Sequence, residues 1–209
     1  MAVAAHRDTK TTILDAAQKL MAEHGINGVS LRAISAEADA NAASLHYHFG
    51  SRDVLIEAIL ARHGRRNVEY RQELVEEKLA RETSAVIRDV VDVLLDPLLR
   101  MLAETGESGR LFVKFLARLQ SDRTGIIEAH RRPDISEGIR KMYSEACPHL
   151  PDEVKQERIT MAIDTFLQSL ANADVMSSDW TEEHPGEGLT KFANSLKDFL
   201  AGGLSADIS

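Results

Sequence analysis

Residues 30–52 read SLRAISAEADANAASLHYHFGSR, two short helical patterns joined by a turn-forming triplet. Ser30 stands where an N-cap belongs, and Leu31, Ile34 and Ala38 mark one face of a helix of about two to three turns. Asp39-Ala40-Asn41 interrupts that period, and Asn41 caps a second short helix from Ala42 to His48, held inward by Leu45 and Phe49. A packing helix followed by two short helices across a three-residue turn is the arrangement that lays its last helix in the major groove of DNA. The outward residues suit that task. Ala42 and Ala43 are small enough for close approach to base edges, Ser44 donates or accepts, and Arg32 carries the fork that matches guanine. His46 projects beside them. Tyr47, His48 and Arg52 are placed to clamp phosphates, and Ser30 and Asn41 present helix N-termini.

Upstream, Asp8 or Thr9 opens a first helix with Ile13, Leu14, Ala17, Leu20 and Met21 on one face, and Gly25 ends it. Downstream, one long pattern runs from Arg52 towards Leu79 and serves as the connector. The remainder reads as further helices. Thr83-Ser84 is expected to cap a segment rich in Val and Leu that Pro97 should kink; Leu111 to Leu119, Asp134 to Ala146, Asp152 to about Ser177 and Leu189 to Leu200 follow. A looser stretch around Thr124-Gly125 and a polar loop over 177–188 holding Trp180 separate them. Strand alternation is almost absent, so the fold class is all-α: a three-helix helix-turn-helix head over 1–52 and a larger helical body over 53–209.

At 209 residues the chain can bury a real core, and 44 % apolar with 28 % charged residues is a globular balance. No apolar run approaches the roughly 20 residues that span a bilayer, and the start lacks a signal-peptide pattern, so no membrane partner and a cytoplasmic location are expected. The single cysteine, Cys147, offers no disulfide and no thiolate metal cage. The net charge of −8 argues at first against nucleic acid, but it is unevenly spread. Residues 1–66 hold 8 Lys and Arg against 7 Asp and Glu, a net of +1, whereas residues 67–209 hold 17 against 26, a net of −9. Five of the eight histidines, including His6, also lie in the first 66 residues, where phosphate proximity favours their protonation.

Residues 13–60, from Ile13-Leu14-Asp15-Ala16-Ala17 through Gly25 to Ser44-Leu45-His46-Tyr47-His48-Phe49-Gly50-Ser51-Arg52-Asp53-Val54-Leu55, closely resemble the DNA-binding head of the tetracycline-repressor-like (TetR) regulators. The resemblance implies an all-α homodimer with a three-helix head, a linking fourth helix, an effector-binding body and a two-fold interface from the last two long helices, here 152–177 and 189–200. It also implies repression of a palindromic double-stranded operator, relieved by a small molecule. Three departures stand out: Asp39-Ala40-Asn41 replaces a Gly-Val-Ser-like turn, His46 replaces a tyrosine, and Arg52 replaces a lysine.

An apolar effector pocket is expected from Met101, Phe112, Phe115, Met142, Tyr143 and Phe166, with Arg118 at its edge; core packing accounts for the same residues equally well. Lys114, Arg118 and Arg131-Arg132 suit an anionic group, although a solvated charged face is the plainer reading. No cofactor and no metal are expected, since His46 and His48, two apart on a helix, point in different directions. An enzyme is not expected: no Gly-rich phosphate loop, nucleophile elbow or H-E-x-x-H run is present. The alternative to an operator-binding regulator is a helical ligand-binding or protein-interaction module without operator binding.

Overall fold

The computed structural model describes residues 8–122, 126, 132–173 and 185–208. Over these, the chain runs α1 (Thr9–His24), α2 (Leu31–Glu37), α3 (Ala42–Phe49), α4 (Arg52–Leu79), α5 (Ile87–Thr105), α6 (Glu107–Ser121), α7 (Pro133–Ala146), α8 (Asp152–Ala171) and α9 (Pro185–Ser205). His6, Thr124-Gly125, Arg131, Trp180 and the end of the expected 152–177 helix lie outside the described residues.

The helix starts in the head follow from their caps. The side chains of Asp8, Ser30, Asn41 and Ser51 accept the amides of Lys10, Ala33, Ser44 and Val54, satisfying donors that the first turn leaves free. Asp39 adopts φ 48° in the turn between α2 and α3, a left-handed conformation that Asp tolerates better than most residues. Ile13, Met21, Ile26, Ile34, Leu45, Phe49 and Leu55 are fully or almost fully buried together, so α1–α3 and the start of α4 share one core.

In the body, one expectation about α5 changes. Thr83-Ser84 does not cap it: the helix starts at Ile87 with Val86 as N-cap, the Asp89 carboxylate accepts the Val86 amide at 2.9 Å, and Glu145 accepts that of Ala85 at 3.2 Å. Pro97 lies inside α5, which continues to Thr105. Having no N–H, it leaves the buried Val93 carbonyl without its usual partner one turn on, and Arg71 of α4 fills the gap. The Arg71 Nε donates to Val93 O at 3.1 Å and Nη2 to Leu94 O at 3.3 Å. Burial pulls this guanidinium down to about 10.

Charge and tyrosine hydroxyl bonds join the remaining helices. Lys78 of α4 meets Asp89 at 2.7 Å and Asp92 at 3.5 Å on α5, while Lys197 of α9 meets Asp92 at 2.9 Å and also Asp96. These lysines are nearly buried, so every one of them needs its carboxylates. At the far end, the Tyr143 hydroxyl of α7 donates to Leu204 O of α9 at 2.6 Å, and Arg158 of α8 donates to the Leu204 and Ala206 carbonyls. α6 packs along α1 on one side and α8 on the other, which makes it the main seam between head and body. At that seam Gln18 bridges His63 of α4 and Ser108 of α6, and His63 stacks on Phe112 with ring centroids 4.3 Å apart. Burial pushes His63 down to about 4, with nearby Arg62 acting the same way and Asp15 opposing.

Candidate nucleic-acid interface and effector cleft

α3 is amphipathic in the way a reading helix must be. Leu45 and Phe49, four apart, are buried, and on the opposite side Ala42 with His46 and Ala43 with Tyr47 form two exposed i, i+4 pairs. Tyr47 is 86 % exposed, an unusual state for an aromatic ring on a folded protein and one that suits a surface awaiting a partner. Its ring meets that of His48 edge-on at 5.2 Å. The His46 Nδ1 lies 3.3 Å from the Gly50 carbonyl, which can only accept, so a bond there needs the proton on Nδ1. Arg32 is exposed on α2, and no described residue pairs with its guanidinium.

The other expected contacts carry structural duties. The Ser30 hydroxyl is engaged with the Ala33 amide at 3.1 Å and the Asn41 Oδ1 with the Ser44 amide at 2.7 Å, leaving Ser44 itself half-buried. Arg52 is half-buried too: its Nη1 donates to Ile26 O at 3.2 Å and its Nη2 to Val29 O at 2.5 Å. The geometry therefore presents Arg32, Ala42, Ala43, His46 and Tyr47 outward and uses Ser30, Asn41 and Arg52 to fix the frame that holds them. Sequence spacing alone does not separate these two groups, because caps and phosphate contacts are made by the same residue types.

Most of the residues expected at an effector pocket lie in the packed core. Met101, Phe112, Phe115, Met142 and Phe166 are buried in the core, with Phe112 and Phe115 stacked at 6.1 Å, and Arg118 is exposed on α6 with its Nε 3.5 Å from Ala22 O. Tyr143 alone among them lines a cleft of about 970 Å³ between α4, α7 and α8. Val75, Leu79, Ile135, Tyr143 and Ile159 give it apolar walls, and Glu76, Glu137, Arg140, Lys141 and Lys155 give it polar ones. The sequence signal available here, and missed by the pocket expectation, is Gly138: a Cβ at that position would stand 2.3 Å from Val75 Cγ1, so only glycine lets α7 come this close to α4 beside the cleft. Among the described residues no group of three His, Cys, Asp or Glu is placed to hold a metal ion.

Residues 13–59 match the family model described as bacterial regulatory proteins, tetR family, and residues 92–203 match the tetracyclin repressor-like C-terminal domain, which alone spans more than half of the chain. This chain belongs to the TetR family. It is therefore a DNA-binding transcriptional regulator with a ligand-binding C-terminal domain, a class of non-enzymatic proteins, and the resemblance carried by Ser44 to Leu55 is confirmed. Among relatives, it is similar to the HTH-type transcriptional regulator UidR of Escherichia coli K12, at 22 % identity over 95 % of this chain and 94 % of that one. Among solved structures, the Mycobacterium smegmatis AmtR crystal structure shares the fold with a TM-score of 0.58, 19 % identity and coverage of 100 % and 92 %. Bacillus subtilis FadR, solved with stearoyl-CoA, shares it with a TM-score of 0.52, 13 % identity and coverage of 92 % and 98 %. No helix among the described residues is long and apolar enough to cross a membrane.

Proposed function

We propose that this TetR-family chain is a cytoplasmic homodimeric repressor. In this reading its two α3 helices enter successive major grooves of a palindromic operator, and a small molecule seated between α4, α7 and α8 releases it. The observation that carries the DNA-facing half is the unpartnered outer side of α3, with Tyr47 86 % exposed above a helix whose other side is wholly committed to the head core. Arg32, with no described partner, supplies the cation and the guanine-matching fork.

Dimerisation is supported by α8 and α9. They pack on each other and leave Met161 60 % and Phe199 68 % exposed, two of the largest apolar exposures among the described residues outside α3. Two long helices per subunit with outward apolar residues suit an isologous interface. Two heads so paired would read half-sites about 34–36 Å apart, one turn of duplex. The effector half of the proposal rests on the cleft. A ligand favouring one spacing of the heads over another shifts the population, and a coupling of about 1–3 kcal/mol changes operator affinity about 5- to 150-fold.

The test is selection from random duplexes with the full chain, followed by binding at several salt concentrations and by light scattering. A palindromic winner, affinity that falls steeply with salt, and a dimer that Phe199→Glu with Met161→Glu converts to monomer are the expected results. A folded dimer that enriches no duplex would instead favour a ligand-binding or protein-interaction module.

A further inference from the structure

We propose that Asp122, at the end of α6, is a positioning residue for operator recognition: it holds the reading head in a fixed orientation on the body by gripping the Ile26 amide. The inference rests on the operator-binding reading given above and adds what sets the tolerance of the two heads for half-site spacing.

Ile26 lies four residues before Ser30, the cap of α2, and it is held on three sides. Its side chain is 1 % exposed in the head core. Its carbonyl accepts Arg52 of the linking helix α4 at 3.2 Å, and the next-but-two carbonyl, Val29 O, accepts the same guanidinium. Its amide donates to the Asp122 carboxylate at 3.1 Å, a bond between residues 96 apart in sequence. Gly25 makes this possible. At φ 81° it turns the chain out of α1, its own amide closing the helix on Met21 O, and the amide that follows is delivered to α6 rather than to the last turn of α1. A Cβ on Gly25 would come within 4.0 Å of Asp122 Oδ2, so the carboxylate sits directly over this turn.

Asp122 is otherwise badly placed. A carboxylate at a helix C-terminus faces the negative end of the helix dipole, where a cation is the favourable residue. The charge-assisted bond to the Ile26 amide is the interaction that offsets this. Asp122 is also close to α8: Gln168 donates to Ala117 O and Ser121 Oγ in the last turn of α6, so the grip on the head stands on a helix end that is itself fixed to a proposed dimer helix. α4 is covalently continuous with the head but meets it at one end only. The seam between α1 and α6, with Gln18 on Ser108 and Arg118 on Ala22, is a second attachment, and the Asp122 bond extends it past the end of α1 to the turn that leads into α2.

The experiment uses the full-length chain, the duplex enriched by selection, and versions of it with one base pair added or removed between half-sites. Each such change rotates one half-site by about 35° and moves it about 3.4 Å. The wild type should lose at least about tenfold on these duplexes, within the range of ordinary coupling energies. Asp122→Ala should lose less than about threefold between them, and Asp122→Asn, which keeps an acceptor oxygen, should restore most of the discrimination. Melting temperature and circular dichroism establish that both variants are folded, and amide exchange should show Ile26 less protected in Asp122→Ala. If the wild type discriminates and Asp122→Ala has the same spacing profile, the positioning role is wrong and operator binding stands. If the wild type enriches no duplex, operator binding fails and the positioning role fails with it.

Discussion

Arg71 and Pro97 should be energetically coupled, and the coupling can be calculated before it is measured. Arg71→Met removes the donor that covers the Val93 carbonyl, which Pro97 leaves without a helical amide. An orphaned buried carbonyl costs about 1–3 kcal/mol. Against this, the shift of the guanidinium from 12.5 to about 10 marks a desolvation cost on the order of 3 kcal/mol at most, which the methionine does not incur. The single variant therefore mixes two opposing effects of similar size. The double-mutant cycle separates them, because desolvation of Arg71 is the same in both backgrounds whereas Pro97→Ala returns an N–H to Val93. Leu94 contributes little, since the Leu98 amide remains available to it. Arg71→Met should consequently be less destabilising in the Pro97→Ala background by about 1–3 kcal/mol, read from urea unfolding at one fixed protein concentration. Equal costs in the two backgrounds would refute the idea that Arg71 stands in for the missing amide.

His63 should make the protein acid-sensitive: its folded pKa of about 4 lies below the ordinary 6.5, so the unfolded chain takes up the proton first and stability falls as pH drops from 6.5 to 4. The loss is at most about 3 kcal/mol, and His63→Phe should flatten that part of the stability–pH curve. Gly138→Leu should force α7 away from Val75 and destabilise by about 1–3 kcal/mol, a loss that Val75→Ala should partly reverse in thermal melts. Arg32→Ala should relax base discrimination at one position by about 1–3 kcal/mol in competition assays. Arg52→Ala should weaken operator binding with an unchanged salt slope, because its cation rests on the Ile26 and Val29 carbonyls; a slope smaller by about one would show that it reaches a phosphate.

Much of the head was legible because its signals are local. Asp8, Ser30, Asn41 and Ser51 are caps within three residues of the amides they accept, and Leu45 and Phe49 announce the buried side of α3 by spacing alone. What escaped is non-local. Asp89 and Glu145 take the place expected of Thr83-Ser84, and Glu145 is 60 residues from the amide it accepts. Arg52 reads as a phosphate contact until Ile26 and Val29 are seen folded against it, and Asp122 carries no mark in sequence of its bond to Ile26. The pocket expectation meets a related difficulty: Phe112, Phe115 and Phe166 have the composition of a ligand site and are buried, but composition does not distinguish a lined cavity from a filled core. Gly138, a glycine inside an apolar helix period, is the sequence mark that fits the close α4–α7 contact beside the cleft.

Tyr143 gives the cleft mechanical reach. Its side chain is fully buried behind the cleft and its hydroxyl holds the Leu204 carbonyl, so one rigid side chain joins the packing behind the cleft to the end of α9. Tilting the ring lifts the hydroxyl, and the closing turn of α9 then relies on Arg158 alone for its captive oxygen. A change of packing behind the cleft is thereby passed to the closing turn of α9 through a single aromatic side chain.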